Sequence, residues 1–191
     1  MLANSVQQHP EVWVTETGYD INQGSYQKAK PIGKKTVLAN QGERLLRTSL
    51  FYIRNGIKKV FFYQLFDDHA NGTTQYATSG LAESIKRRPA ADYILQTTRL
   101  MGDYVYKKTI NKDPLVDDYQ SGKKTIYVLL VPDETGRTGN YILDLGKAAK
   151  ALIYNLKTGS DIMDKKQVTL ENSKLKIKVT ETPVFVEALN L

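Results

Sequence analysis

The sequence predicts an α/β segment followed by an all-β one: two βα units of a parallel sheet over residues 1–103, then an antiparallel β-sandwich over 104–191. Three observations carry this expectation. Before residue 103, β-favouring apolar runs alternate with stretches of helical period, the pattern of a parallel sheet. Beyond it the helical period disappears, and short strand-like runs are separated by turn residues. Within that second half, Lys174–Val179 alternates lysine with an apolar residue, as a half-buried antiparallel strand requires.

Taken in order, residues 11–16 (EVWVTE) form an apolar run ending at Gly18, a buried strand opening into a loop. A polar loop from Asp20 to Lys35 holds Gly24, Pro31 and Gly33, and loops of that length are usually functional or mobile. From Leu38 to Arg54, Leu38, Leu45, Leu46, Leu50 and Ile53 recur at helical spacing, and Asn55-Gly56 supplies a left-handed stop. Residues 58–68 (KKVFFYQLFDD) have an unbroken apolar centre, expected of a strand buried on both faces. A second loop, 69–79, is rich in Asn, Gly and Thr. Pro89 then opens a helix that Gly102 closes. Strand candidates follow at 104–110, 124–131, 140–145, 149–156, 167–171, 174–180 and 183–189, with turns at Gly122, 136–140, 158–159 and 172–173.

Composition removes several function classes. The 191 residues are 41% hydrophobic and 25% charged, ordinary for a globular chain and too few for a complete (β/α)8 barrel of roughly 250 residues. The net charge of +7 is dispersed in short groups, Lys34-Lys35, Lys58-Lys59, Lys86–Arg88 and Lys123-Lys124. A nucleic-acid binder needs its charge concentrated on one face, so no nucleic-acid partner is expected. With no cysteine, disulfides and thiolate metal sites are excluded, and His9 and His69 alone cannot build a histidine-rich centre. No metal or other cofactor is expected. No apolar run reaches about 18 residues, and Met1–Pro10 lacks a charged and an apolar region, so no membrane anchor or export signal is read here.

Chemistry in a parallel βα architecture gathers at the carboxyl ends of the strands. Two such ends are visible, Thr15–Asp20 and Gln64–His69. Glu16 is the sharpest candidate, a carboxylate closing an apolar run beside a glycine that lets the backbone turn. The alternative is a hydrogen-bonded glutamate that orients its loop. Trp13 is read as core rather than as a stacking platform. Tyr19, Tyr26 and Tyr76 lie on loops at this face and are candidates for stacking, and Gln64 with Asp67 or Asp68 for hydrogen bonds to hydroxyls, against loop capping. Asp67, Asp68 and His69 are consecutive, so they cannot all address one ion in strand geometry. Asp133, Glu134 and Asp144 are read as solvated turn residues.

The run Val12–Asp20 resembles strand seven of the clan A glycoside hydrolases, retaining enzymes built on a TIM barrel. The likeness continues in order through a helix with Gln41, Arg44 and Arg47, then Gly56, the strand end Phe62–Leu65 with Asp67-Asp68, Ser79–Leu81, the helix start Lys86–Ala90, and a last strand within Glu181–Glu187. It implies the last two βα units of the barrel, strands 7 and 8 with their helices, followed by the sandwich. It also implies Glu16 as nucleophile, Tyr19, Gln64 and Asp67 as substrate-binding residues, a carbohydrate substrate, and a parent enzyme secreted or periplasmic in a bacterium. A retaining mechanism needs a second carboxyl group about 5–5.5 Å from the nucleophile; in the family it follows strand four, which has no counterpart here, since the chain begins near the end of helix six. Three classes follow: the C-terminal portion of a retaining glycoside hydrolase, inactive alone; a non-catalytic carbohydrate-binding or scaffold protein; or one subunit of a split barrel. Two strands would leave an open sheet edge, so self-association, or packing of the βα part on the sandwich, is expected.

Overall fold

The computed structural model describes residues 10–69 and 72–189. The reading of the N-terminal decapeptide, Pro10 excepted, and His9 lie outside them. Two parallel strands, β1 (Trp13–Thr17) and β2 (Lys59–Phe62), are joined through helix α1 (Val37–Arg54). A two-residue hairpin, β3 (Ala82–Glu83) with β4 (Lys86–Arg87), precedes helix α2 (Pro89–Met101). Eight strands follow: β5 (Val105–Lys112), β6 (Leu115–Ser121), β7 (Lys124–Leu130), β8 (Gly139–Asp144), β9 (Lys150–Asn155), β10 (Asp164–Thr169), β11 (Lys174–Val179) and β12 (Val184–Leu189).

The helices begin and end where local chemistry directs. The Thr36 side chain accepts a hydrogen bond from the Ala39 N–H at the start of α1, and Gly56 takes φ +78° just past its end. Pro89 occupies the first turn of α2, where its missing N–H costs nothing.

Six of the eight later strands form one antiparallel sheet in the order β10-β9-β12-β7-β6-β5, and β11 pairs with β8 in a separate ribbon. The pleat sorts the core. Leu129 of β7 and Val184 and Val186 of β12 pack with Leu143, Leu175 and Val179 of the ribbon. Their alternates Ile126, Val128, Leu130 and Phe185 face the other way, onto Leu46 and Leu50 of α1 and Tyr93 and Met101 of α2. The βα part therefore lies against the sheet, through the helices rather than through the open strand edge. Polar links reinforce the contact: Arg54 pairs with Asp117 at 3.0 Å and Arg44 with Glu134 at 2.7 Å, while Glu43 takes Lys35 at 2.8 Å and the Thr182 hydroxyl at 2.6 Å.

Four expectations need correction. Trp13 is not core: it is 46% exposed, with the Lys59 ammonium 3.9 Å from its ring centroid and Phe61 beside it. Strand 58–68 is not buried on both faces and shrinks to Lys59–Phe62, with Phe61 50% exposed, because no described element covers that side of β1 and β2. Strand β6 stands where no strand was expected. Glu134 is no free turn residue, since it ties its turn to α1 through Arg44.

Candidate active site at the carboxyl ends of the parallel strands

The register of β1 against β2 is irregular: Val14 pairs with Val60 and Thr17 with Phe62, so Thr15 and Glu16 together stand opposite Phe61. Two residues against one is a β-bulge, a device that re-aims side chains. Its effect appears in the exposure pattern: Trp13, Thr15 and Glu16 are exposed, while Val14 and Thr17 are half-buried. Regular alternation would have turned Glu16 toward the helices. With the bulge, Glu16 is exposed, as are Trp13 and Thr15.

Beyond the bulge the two strand ends are clamped. The Tyr63 N–H donates to the Thr17 carbonyl at 2.7 Å, and a Cβ on Gly18 would collide with the Tyr63 carbonyl oxygen. Only glycine allows this approach.

Asp20 organises the loops above. Fully buried, its carboxylate accepts from the Ser25 hydroxyl at 2.6 Å, the Tyr76 N–H at 2.8 Å, and the Thr78 N–H and hydroxyl at 3.1 and 3.2 Å. Its acceptor capacity is thereby used on donors from both loops, 20–35 and 72–79. Asn22 adds a bond from its side-chain amide to the Gly72 carbonyl at 2.8 Å. Neither loop is a free connection.

The other candidates are distributed around this frame. Tyr19 turns toward α1: its hydroxyl meets that of Thr48 at 3.0 Å and Arg44 stacks over its ring at 4.6 Å. Gln64 is half-buried and its amide reaches the Tyr76 carbonyl at 3.3 Å, while Tyr63 and Tyr76 meet edge to face with centroids 5.8 Å apart. The Asp67 carboxylate is bidentate on Arg88, at 2.9 and 2.5 Å, and takes the Gly80 N–H at 2.8 Å. Arg88 also donates to the Gly80 carbonyl at 2.9 Å, and the buried Gln41 donates to the Tyr19 carbonyl at 2.9 Å. Asp68 and His69 are exposed. Tyr26 is fully exposed, on the loop that Asp20 anchors. The structure thus leaves Glu16 exposed near the carboxyl ends of the strands, with Tyr19 and Asp67 engaged in holding the segments around them.

Among the described residues no three His, Asp or Glu side chains are placed to hold a metal ion, and no helix is long and apolar enough to cross a membrane.

Among solved structures, the chain is similar to a family 39 glycoside hydrolase from the gut symbiont Bacteroides cellulosilyticus, with a TM-score of 0.73 at 16% identity, over 97% of this chain and 35% of that one. The fold is one that glycoside hydrolases contain. The catalytic domain of the family 30 xylanase C from Talaromyces cellulolyticus matches at TM-score 0.61 and 11% identity, over 97% of this chain and 42% of that one. A family 30 subfamily 8 xylanase from Clostridium acetobutylicum matches at 0.58 and 10%, over 94% and 43%. The chain therefore spans less than half the length of these neighbours. No family model and no curated protein matches it.

Proposed function

We propose that the chain is the C-terminal portion of a retaining glycoside hydrolase, with residues 1–103 contributing the last two βα units of a TIM barrel and 104–191 a β-sandwich. One observation carries the reading. A bulge near the carboxyl end of a parallel strand leaves the Glu16 side chain exposed on a strand pair that no described element covers, and in this reading the rest of a barrel would converge there. Similarity in fold to glycoside hydrolases over part of their length supports it.

In this reading Glu16 attacks the anomeric carbon and a carboxylic acid from elsewhere in the barrel protonates the leaving oxygen. The glycosyl ester formed on Glu16 is then hydrolysed by water, with the second group acting as base. Gln64 supplies an amide at the rim of the same strand pair. Tyr19 and Asp67 act as positioning residues, because their polar atoms are engaged by Thr48 and by Arg88 with Gly80. General acid help is worth typically about 10²–10⁴ in rate, so the chain alone leaves ordinary glycosides intact.

The test joins this chain to the six βα units that would complete the barrel, incubates the product with an activated 2-deoxy-2-fluoro glycoside and locates the label by mass spectrometry. Label on Glu16, with turnover lost in Glu16→Gln, is the expected result. Label on any other residue, or turnover undiminished in Glu16→Gln, refutes the assignment.

A further inference from the structure

Arg44, Arg47, Thr48, Phe51 and Arg54 follow one another along α1 at the three- and four-residue spacing that puts side chains on one stripe. That stripe borders a cleft of about 380 Å³ between the helix and the six-stranded sheet, within the range of small-molecule sites, about 300–1,000 Å³. Its apolar lining is Leu50 and Phe51 of α1 with Leu115 of β6, Leu130 of β7 and Pro132. Glu16 does not line it.

The charges around this cleft do not cancel. Arg54 is matched by the buried Asp117 at 3.0 Å. Arg44 and Arg47 have one carboxylate between them: the same oxygen of Glu134 lies 2.7 Å from Arg44 Nε and 4.0 Å from Arg47 Nη1. Arg44 is further occupied by the Lys28 carbonyl, and its guanidinium lies over the Tyr19 ring. The Tyr19 and Thr48 hydroxyls, also at the cleft, pair with each other at 3.0 Å. Arg47 donates from Nη2 to the Pro132 carbonyl at 3.0 Å. Its Nε and Nη1 have no hydrogen-bond partner among the described residues, and both atoms keep contact with solvent on a side chain that is 15% exposed. One positive charge with open donors is therefore left over, and it belongs to Arg47.

We propose that the cleft binds a small monocarboxylate with an aromatic or branched aliphatic body, its carboxylate on Arg47 and its body against Leu50, Phe51, Leu115 and Leu130. A planar guanidinium with free N–H groups matches a carboxylate in shape as well as charge, and partial burial makes the pair stronger than it would be on an open surface. The charge count selects a single negative group, because a phosphate dianion would bring a second negative charge beside Glu134. A neutral sugar would press hydroxyls onto leucines and leave Arg47 unanswered. This site is separate from the strand ends, so its test does not depend on the glycosidase reading.

The experiment compares 4-methylbenzoate with 4-methylbenzamide, nearly equal in shape and different in charge, and with acetate, which has the charge without the body. Binding is followed by ligand-observed NMR titration of the full chain at fixed ionic strength, together with melting temperatures, for the parent, Arg47→Met, Phe51→Ala and Lys124→Met. Lys124 stands at the far end of β7 from Leu130 and controls for charge away from the cleft. A hydrogen-bonded charge is worth roughly tenfold or more, so the parent is expected to bind 4-methylbenzoate tighter than either other probe by at least about that factor, and to melt higher in its presence. Arg47→Met should lose the preference for the carboxylate over the amide. Phe51→Ala should weaken both aromatic probes by a similar factor; it alters an exposed side chain, so it decides even if Arg47→Met fails to fold. Lys124→Met should change neither. Equal binding of benzoate and benzamide by the parent would overturn the proposal, as would acetate binding as tightly as 4-methylbenzoate, or no binding of 4-methylbenzoate at all. So would a preference kept in folded Arg47→Met, affinities unchanged in Phe51→Ala, or a preference lost equally in Lys124→Met.

Discussion

A single carboxylate, Asp20, holds the two loops above the strand ends in place. It accepts from Ser25, Tyr76 and Thr78 while fully buried, and each buried donor stripped of its acceptor costs about 1–3 kcal/mol. Asp20→Ala should therefore release loops 20–35 and 72–79 together. Hydrogen exchange is expected to accelerate at the Tyr76 and Thr78 amides, with the protection of β7 and β12 little changed; equal loss everywhere would mean that Asp20 supports the whole fold instead. Asp20 is not legible in the sequence as an anchor, because an acidic residue at the start of a polar loop has no local mark of burial. Glu16 was legible as a carboxylate closing a strand. The bulge that aims it was not, since that depends on pairing with Phe61, 45 positions further along the chain.

Helix α1 is the element on which the βα part and the sheet both depend. Leu46 is buried between it and the sheet, in the cluster that includes Phe185, so Leu46→Ala removes packing and leaves a cavity. A loss of about 2–5 kcal/mol is expected, measurable by urea unfolding. A cost below 1 kcal/mol would mean that helix and sheet are only loosely joined. Both helices were readable from the sequence because their apolar stripe and end signals are local. Strand β6 was not, since its centre carries Asp117 and Asp118 and the alternation breaks. The structure compensates Asp117, which accepts from Arg54 at 3.0 Å and from the Thr109 hydroxyl at 2.6 Å, while only one oxygen of the buried Asp118 is paired among the described residues, with the Gln120 amide at 3.2 Å. The clue available beforehand was Gly122, a turn residue with a strand on only one side of it. Trp13 was misplaced for the complementary reason. An aromatic residue inside an apolar run is normally core, but no described element covers that face of β1 and Trp13 is 46% exposed.

For the whole molecule, alkaline pH should be more damaging than its net charge alone suggests. Burial raises the phenols of Tyr93, Tyr104, Tyr119 and Tyr127 above their usual value, and does the same for Tyr154, whose hydroxyl also donates to Glu187 at 2.7 Å. In the unfolded chain these groups ionise near pH 10, so above that pH the unfolded state sheds protons that the native state retains. The stability they provide is complete below about pH 10 and lost progressively as the pH rises through the native values. Urea midpoints flat from pH 7 to 9 and falling beyond 10, with the fall reduced in Tyr154→Phe, would match this account; a midpoint that climbs above pH 10 would contradict it.

The order β10-β9-β12-β7-β6-β5 places β12 between β7 and β9, both of which precede it in sequence. Translation delivers β5, β6 and β7 as one meander and β9 and β10 as another region, and these two share no ladder until Val184–Leu189 arrives. The sheet therefore cannot close before that segment has been made. A chain stopped at Thr182 should show this directly, with Trp13 fluorescence and far-ultraviolet circular dichroism reporting an expanded, protease-sensitive state. Adding back a separate peptide spanning 183–189 should restore part of the sheet. Until Val184–Leu189 is in place, the slot between β7 and β9 stays open to whatever extended segment can occupy it first.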